Sequence, residues 1–241
     1  MRGTENVTSV IEPVTEVNPV EPVKEVPSRK LVPRRQRQNR RLQVLLWAVT
    51  VLVLWYVNTS VLRYLNQSRE IYGIFWPRHW WLFVHAIAGT IALVLGPVYF
   101  WPGISQEQPM LHRIVRIAYM AGAVTGGISA FYLAYHTGFG WMFGAGLSAM
   151  ATAWILSTGM AAAAVFRRTI PQHREWMVRS YVVTFGFVFM RITTETLDMF
   201  DVGTVTEQLV FASWMCWSVP LLITEAFLQG RKVFAQTAAQ G

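Results

Sequence analysis

Two short stretches concentrate the residues able to do chemistry. Pro109-Met-Leu-His-Arg-Ile-Val-Arg-Ile-Ala-Tyr119 and Pro171-Gln-His-Arg-Glu-Trp-Met-Val-Arg-Ser-Tyr181 each set a proline, a His-Arg pair, a second arginine and a tyrosine at the mouth of a long apolar run. His112, Arg116 and Tyr119 fall at i, i+4 and i+7 and share one helix face. A helix N-terminus already carries about half a positive charge, so cations there are disfavoured by some tenths of a kcal/mol each. An anionic group should compensate them. Candidates are Glu225, Glu107 and Glu175 from the chain itself, a lipid phosphate, haem propionates or an anionic substrate. Arg113, Arg167, Arg168 and Arg174 read as topology determinants that snorkel to head groups. Arg116 and Arg179 lie deeper and are assigned, with Tyr119, Tyr181 and Glu225, to an anion-binding or polar cluster. Glu225 is expected to pair with one or both of these arginines, because a carboxylate at that depth is costly without a cation.

The histidines raise a second chemistry. His85 lies about a turn and a half inside an apolar run, on the same stripe as Gly89 and Gly96. An ionisable residue inside a span is a functional candidate by default, and Gly89 leaves room beside the imidazole for a close helix or a flat ligand. Bis-His haem ligation needs histidines on facing helices of a bundle. His85 with His136 would form one pair and His112 with His173 the other, which makes these four the candidate ligands of a b-type haem. No His-x-x-His or carboxylate–His spacing occurs within a span, so no further metal site is expected. The single cysteine, Cys216, excludes multi-cysteine clusters and intramolecular disulfides, and reads as a small buried hydrophobe. No nucleophile-base triad, phosphate loop or nucleotide fingerprint is present, and catalytic residues are not assigned.

These residues sit in a membrane composition. Of 241 residues, 53% are hydrophobic and 14% charged, and mean hydropathy is +0.33, too apolar and charge-poor for an ordinary soluble domain. Spanning a bilayer takes about 20 apolar residues. Six stretches approach that length: 42–62, 80–101, 114–135, 141–166, 176–194 and 205–228. The expectation is an all-α membrane protein with six transmembrane helices in a bundle, the second to sixth forming the core.

The net charge of +8 belongs to the membrane rather than to nucleic acid. Seven of the 21 basic residues, Arg29, Lys30, Arg34, Arg35, Arg37, Arg40 and Arg41, stand immediately before the first span, where the positive-inside rule expects cytoplasmic charge. Counting spans onward places both termini in the cytoplasm. Only the 63–79 loop, with Arg63, Arg69 and Arg78, runs against the rule.

Residues 1–28 lack aromatics and are rich in Pro, Val and Glu, with Glu12-Pro-Val-Thr-Glu-Val17 nearly repeated at Glu21-Pro-Val-Lys-Glu-Val26. Residues 1–41 therefore read as a disordered cytoplasmic tail ending in a basic juxtamembrane run that sets topology or binds anionic lipid. Residues 42–63 read as a retained anchor helix without an active role, residues 80–229 as the five-helix core, and 230–241 as a short tail. Within the core, Gly122-Ala-Val-Thr-Gly126 permits close helix approach, and Gly96-Pro97 permits a kink whose freed backbone groups need partners. Arg191 and Glu195 are spaced for a pair, and His79 is a wet interfacial residue.

The run from His85 to Glu225 resembles a family of bacterial predicted integral membrane proteins whose domain has no assigned function. The matching residues are His85 with Gly89 and Gly96-Pro97, His112-Arg113 with Arg116 and Tyr119, His173-Arg174 with Trp176-Met177 and Arg179-Ser180-Tyr181, then Arg191 and Glu225. That resemblance implies a multi-pass protein of the bacterial inner membrane and supplies no substrate or cofactor. The placing of histidines also resembles, in plan, the membrane di-haem b-type cytochromes. Two readings follow. One is a ligand-binding membrane protein, in its most concrete form a b-type haem electron carrier exchanging electrons with the quinone pool. The other is a non-enzymatic binding, transport or scaffold protein whose Arg/His/Glu cluster holds lipid phosphate or another anion.

Overall fold

A computed structural model describes residues 33–101 and 107–240. Of residues 1–41, read above as a disordered tail, 1–32 lie outside the described residues and 33–41 are helical. Among the described residues eight α-helices follow in chain order: α1 (Pro33–Tyr56), α2 (Arg69–Tyr72), α3 (His79–Tyr99), α4 (Pro109–Tyr135), α5 (Trp141–Phe166), α6 (Ile170–Thr184), α7 (Gly186–Met199) and α8 (Val205–Gln240). No strand occurs among the described residues. Five helical segments are long and apolar enough to cross a membrane: 40–65, 69–99, 109–135, 141–166 and 205–234.

The stretch 176–194, expected as one continuous span, is instead two helices that meet at Phe185–Gly186. Two local causes are visible. Thr184 Oγ1 donates back to the Ser180 carbonyl at 2.9 Å, which bends a helix. Gly186 is where α7 turns against its neighbours, since a Cβ there would meet Met150 Cε at 2.8 Å and the Cys216 carbonyl at 3.4 Å. The C-terminal tail expected from residue 230 is also helical, because α8 continues through Gln240.

Proline marks the first turn of both α4 and α6, where its missing N–H has no helical partner to lose. Glycines set the helix spacing. A Cβ at Gly122 would lie 2.8 Å from the Ala88 carbonyl on α3, and one at Gly127 would lie 2.7 Å from Ile155 on α5, so α4 is held between those two helices. The first span packs through Val53 against Leu93 of α3 and Phe185 and Val188 at the α6–α7 junction. The C-terminal end of α3, the N-terminal end of α4, the α5–α6 turn and the Glu225–Lys232 part of α8 mark one end of the bundle, called here the arginine end. Residues 62–79, 136–140 and 200–204 mark the opposite, distal end.

Candidate functional site

The kink anticipated at Gly96-Pro97 has a resolved partner. Pro97 lacks the N–H that would bond the Leu93 carbonyl four residues back. The Tyr181 hydroxyl donates to that carbonyl at 3.2 Å. The ring occupies the space left by Gly96, since a Cβ there would lie inside it. Tyr181 is therefore a structural clamp between α6 and α3.

At the arginine end, Arg179 is only 8% exposed and fully engaged. Its Nε and Nη2 donate to Glu225 Oε2 at 2.7 and 2.6 Å, Glu175 lies 3.6 Å from Nη1, and the Trp176 ring lies 4.7 Å beneath the guanidinium. Glu175 also accepts from Lys232 at 2.7 Å, and Glu225 from Gln229 at 2.6 Å. Arg116 stands outside this network. It makes no ion pair or hydrogen bond among the described residues.

Tyr119 is completely buried and joins a hydroxyl network rather than the arginines. Its hydroxyl lies 2.8 Å from Ser180 Oγ and 2.9 Å from Thr184 Oγ1, and Ser180 Oγ lies 2.7 Å from Thr158 Oγ1. Thr158 in turn donates to the Trp154 carbonyl at 2.8 Å. These hydroxyls satisfy one another across α4, α5 and α6.

His112 and His173, at the arginine end, are linked by Tyr99, a residue for which the sequence offers no special signal. His173 Nδ1 must donate to the Ala161 carbonyl, 2.8 Å away, so neutral Nε2 is the acceptor for the Tyr99 hydroxyl at 2.8 Å. Both nitrogens are engaged. The Tyr99 ring also packs 4.6 Å from the His112 ring, whose Nδ1 is buried without a partner. Burial lowers the His173 pKa from its ordinary value; the Ala161 bond partly offsets this, and Arg116 and Arg174 lower it further. The neutral ring is thus built into the fold. The unfolded chain takes up a proton first as pH falls through about 6.5, so this group's stabilisation is present above that pH and lost below it. Melting temperature in detergent should drop between pH 7 and 5. A curve flat across that window, with other histidines replaced, would show that His173 titrates normally.

His85 occupies a different environment. Its Nδ1 donates to the Gly126 carbonyl on α4 at 2.9 Å, because a carbonyl can only accept. Neutral imidazole, the form favoured at membrane depth, then carries its free lone pair on Nε2. The Phe187 ring stands against it at 5.1 Å. His85 lines a cavity of about 310 Å³ whose walls also include Gly89, Thr90, Met150, Trp154 and Thr184. Gly89 has nothing within 4 Å of where a Cβ would stand, so the space beside the imidazole is open. Through Thr184 the cavity wall reaches the Tyr119 hydroxyl network.

The first span closes this cavity. Tyr56, Ser60 and Val61 line it, the last two from a π-helical turn over Val57–Val61, a distortion frequent at functional sites. An anchor without an active role was the expectation for this span; its apolar, glycine-free sequence carries no sign of the turn that aims Ser60 inward.

His136 is placed elsewhere. It is exposed, bonds the Tyr132 carbonyl of its own helix at 2.9 Å, and does not line the cavity. Ten residues separate it from Gly126, about 15 Å along the helix. His79 stacks on Trp76 at 4.6 Å and bonds its carbonyl, and Arg191 pairs with Glu195 at 2.7 Å. Cys216 is buried, and no cluster of three or more metal-ligating side chains occurs among the described residues.

No curated protein and no solved structure matches the chain. A family model described as a predicted membrane protein (DUF2306) matches residues 82–228, which takes in the His85 helix, both His-Arg helix starts and Glu225, and the chain belongs to that family.

Proposed function

We propose that this is a ligand-binding protein of the bacterial inner membrane whose site is the His85 cavity, and that its most concrete form is a b-type haem electron carrier working with the quinone pool. The carrying observation is His85 itself: Nδ1 is tied to a backbone carbonyl, Nε2 is free, and open space adjoins it. A carbonyl-fixed tautomer with a free Nε2 is the arrangement that metal-ligating histidines use. The cavity lies at the lower end of the range for small-molecule sites, about 300–1,000 Å³.

The donor set fits one such group rather than two. His85 would hold it, and Met150 and Met190 bring thioethers to the same walls. Bound there, a haem would supply one-electron chemistry. The His112–His173 position fits poorly, since Tyr99 lies between the rings and both His173 nitrogens are engaged. Six crossings, with 176–194 traversing as a broken helix, and cytoplasmic termini complete the proposal.

A second reading rests on Arg116 and on the unpartnered His112 Nδ1. They lie one helical turn apart on α4 and would hold a lipid phosphate in a non-enzymatic protein. Arg179, already paired, would not.

Absorption spectra of purified protein, oxidised and dithionite-reduced, test the first reading. A Soret band that shifts on reduction, and that His85→Ala abolishes while His136→Ala spares it, is expected. A colourless, folded protein produced with ample haem would remove the haem form.

A further inference from the structure

The carbonyl that holds His85 is shared. Ser129, 1% exposed and also on α4, donates from Oγ to the Gly126 carbonyl at 2.9 Å, the same distance at which His85 Nδ1 reaches it from α3. Inside an α-helix that oxygen also takes the N–H of the residue four positions on, here Ala130. Three donors therefore meet one oxygen, which has two lone pairs. The serine has a second acceptor, because the Thr125 carbonyl also stands 2.9 Å from Oγ. A single hydroxyl proton is divided between the two.

Close helix approach makes this arrangement possible. A Cβ at Gly126 would come 3.0 Å from the Trp154 ring and 3.5 Å from the Gly89 nitrogen, so the missing side chain lets α3 and α5 close on this turn of α4. His85 then has one fixed partner, through Nδ1. Its ring otherwise meets Phe187 and the cavity. Among the described residues no Asp, Glu, Lys or Arg lines that cavity, so no neighbouring charge on its walls sets the electron density at Nε2. One hydrogen bond does.

An imidazole that gives its N–H to a strong acceptor becomes a better electron donor through its other nitrogen. A further donor on the same oxygen draws off part of that acceptor strength. We infer that Ser129 is a positioning residue for the His85 site: its hydroxyl, shared between the Gly126 and Thr125 carbonyls, limits the pull of Gly126 on the Nδ1 proton and so sets the donor strength of Nε2. The inference rests on His85 being the ligand-binding group. It adds a residue that does not itself line the cavity and acts on the ligand only through the ring.

The test reads the imidazole directly, without ligand. Full-length protein with isotope-labelled histidine rings, in nanodiscs, should show an Nδ1–H resonance that is lost in His85→Gln. Ser129→Ala releases the carbonyl and should move that proton downfield, the direction of a stronger hydrogen bond. Ser129→Thr keeps the hydroxyl and should hold it at the wild-type position. A serine that only packs would alter melting temperature and leave the resonance in place, so an unmoved or upfield resonance in Ser129→Ala overturns the inference. A wild-type ring protonated on Nε2 instead overturns both the inference and the His85 reading beneath it. A second arm adds haemin, which Ser129→Ala should bind up to about tenfold tighter and hold at a lower midpoint potential. Haemin bound equally by wild type and Ser129→Ala, with an unchanged potential, overturns the inference. Haemin bound by neither, with the resonance moved as expected, removes the haem form and leaves the role of Ser129 supported.

Discussion

Gly96→Ala is expected to destabilise the protein by several kcal/mol, one of the largest losses available to a single methyl group here. The added Cβ would fall inside the Tyr181 ring. That ring cannot swing freely, because Phe100 and Phe185 pack around it at centroid distances of 5.8 and 6.2 Å. Overpacking of this kind costs about 1–3 kcal/mol. Displacing Tyr181 also strips the Leu93 carbonyl of its donor, and an unsatisfied buried acceptor costs about 1–3 kcal/mol more. Tyr181→Phe removes only the second contribution and should lose about 1–2 kcal/mol. The two substitutions should combine less than additively, since both act on one contact. Thermal unfolding in a fixed detergent checks this. Were Gly96→Ala to melt with the wild type, the close α3–α6 approach through Tyr181 would be wrong.

That contact also marks how far the sequence could be read. Gly96-Pro97 announces a kink and an orphaned carbonyl through local chemistry alone, and the arginine–glutamate spacing at 191 and 195 likewise fixes its own partner. The all-helical membrane class follows from composition and apolar run lengths. What composition and period cannot convey is which distant residue answers a local need. Tyr181 shares its stretch with Arg179, so proximity in the chain groups it with the arginines, whereas its hydroxyl is used on another helix. Tyr99, the link between His112 and His173, is one aromatic among many at a helix end. The break at Phe185–Gly186 hides because the apolar period runs on without a proline; it depends on how closely α7 approaches Met150 and the Cys216 carbonyl. The contribution of the first span to the His85 cavity hides for a similar reason. A π-turn shifts side-chain direction by one residue without altering composition, so Ser60 turns inward with no signal in the pattern.

Glu225→Gln is the second substitution with a large expected effect, and it separates architecture from binding at the arginine end. Arg179 is almost enclosed, and Glu225 is its closest counter-charge. Removing one partner of a buried pair typically costs about 3–5 kcal/mol because the other charge is left uncompensated. Here the carboxylate side is 41% exposed and Glu175 remains at 3.6 Å, so solvent and the second acid reduce the expected loss to about 2 kcal/mol. Replacing both partners with apolar residues, as Arg179→Met with Glu225→Leu, removes the uncompensated charge and should recover much of the stability. The same pair of variants addresses transport. A proton-coupled carrier needs an ionisable Glu225, so both the single and the double variant would lose uptake irrespective of stability. A structural pair requires only that Arg179 be matched, so stability should follow the pairing, and binding at the His85 cavity should survive in the double variant. A Glu225→Gln protein that melts like the wild type would show that Glu175 and Trp176 alone hold Arg179.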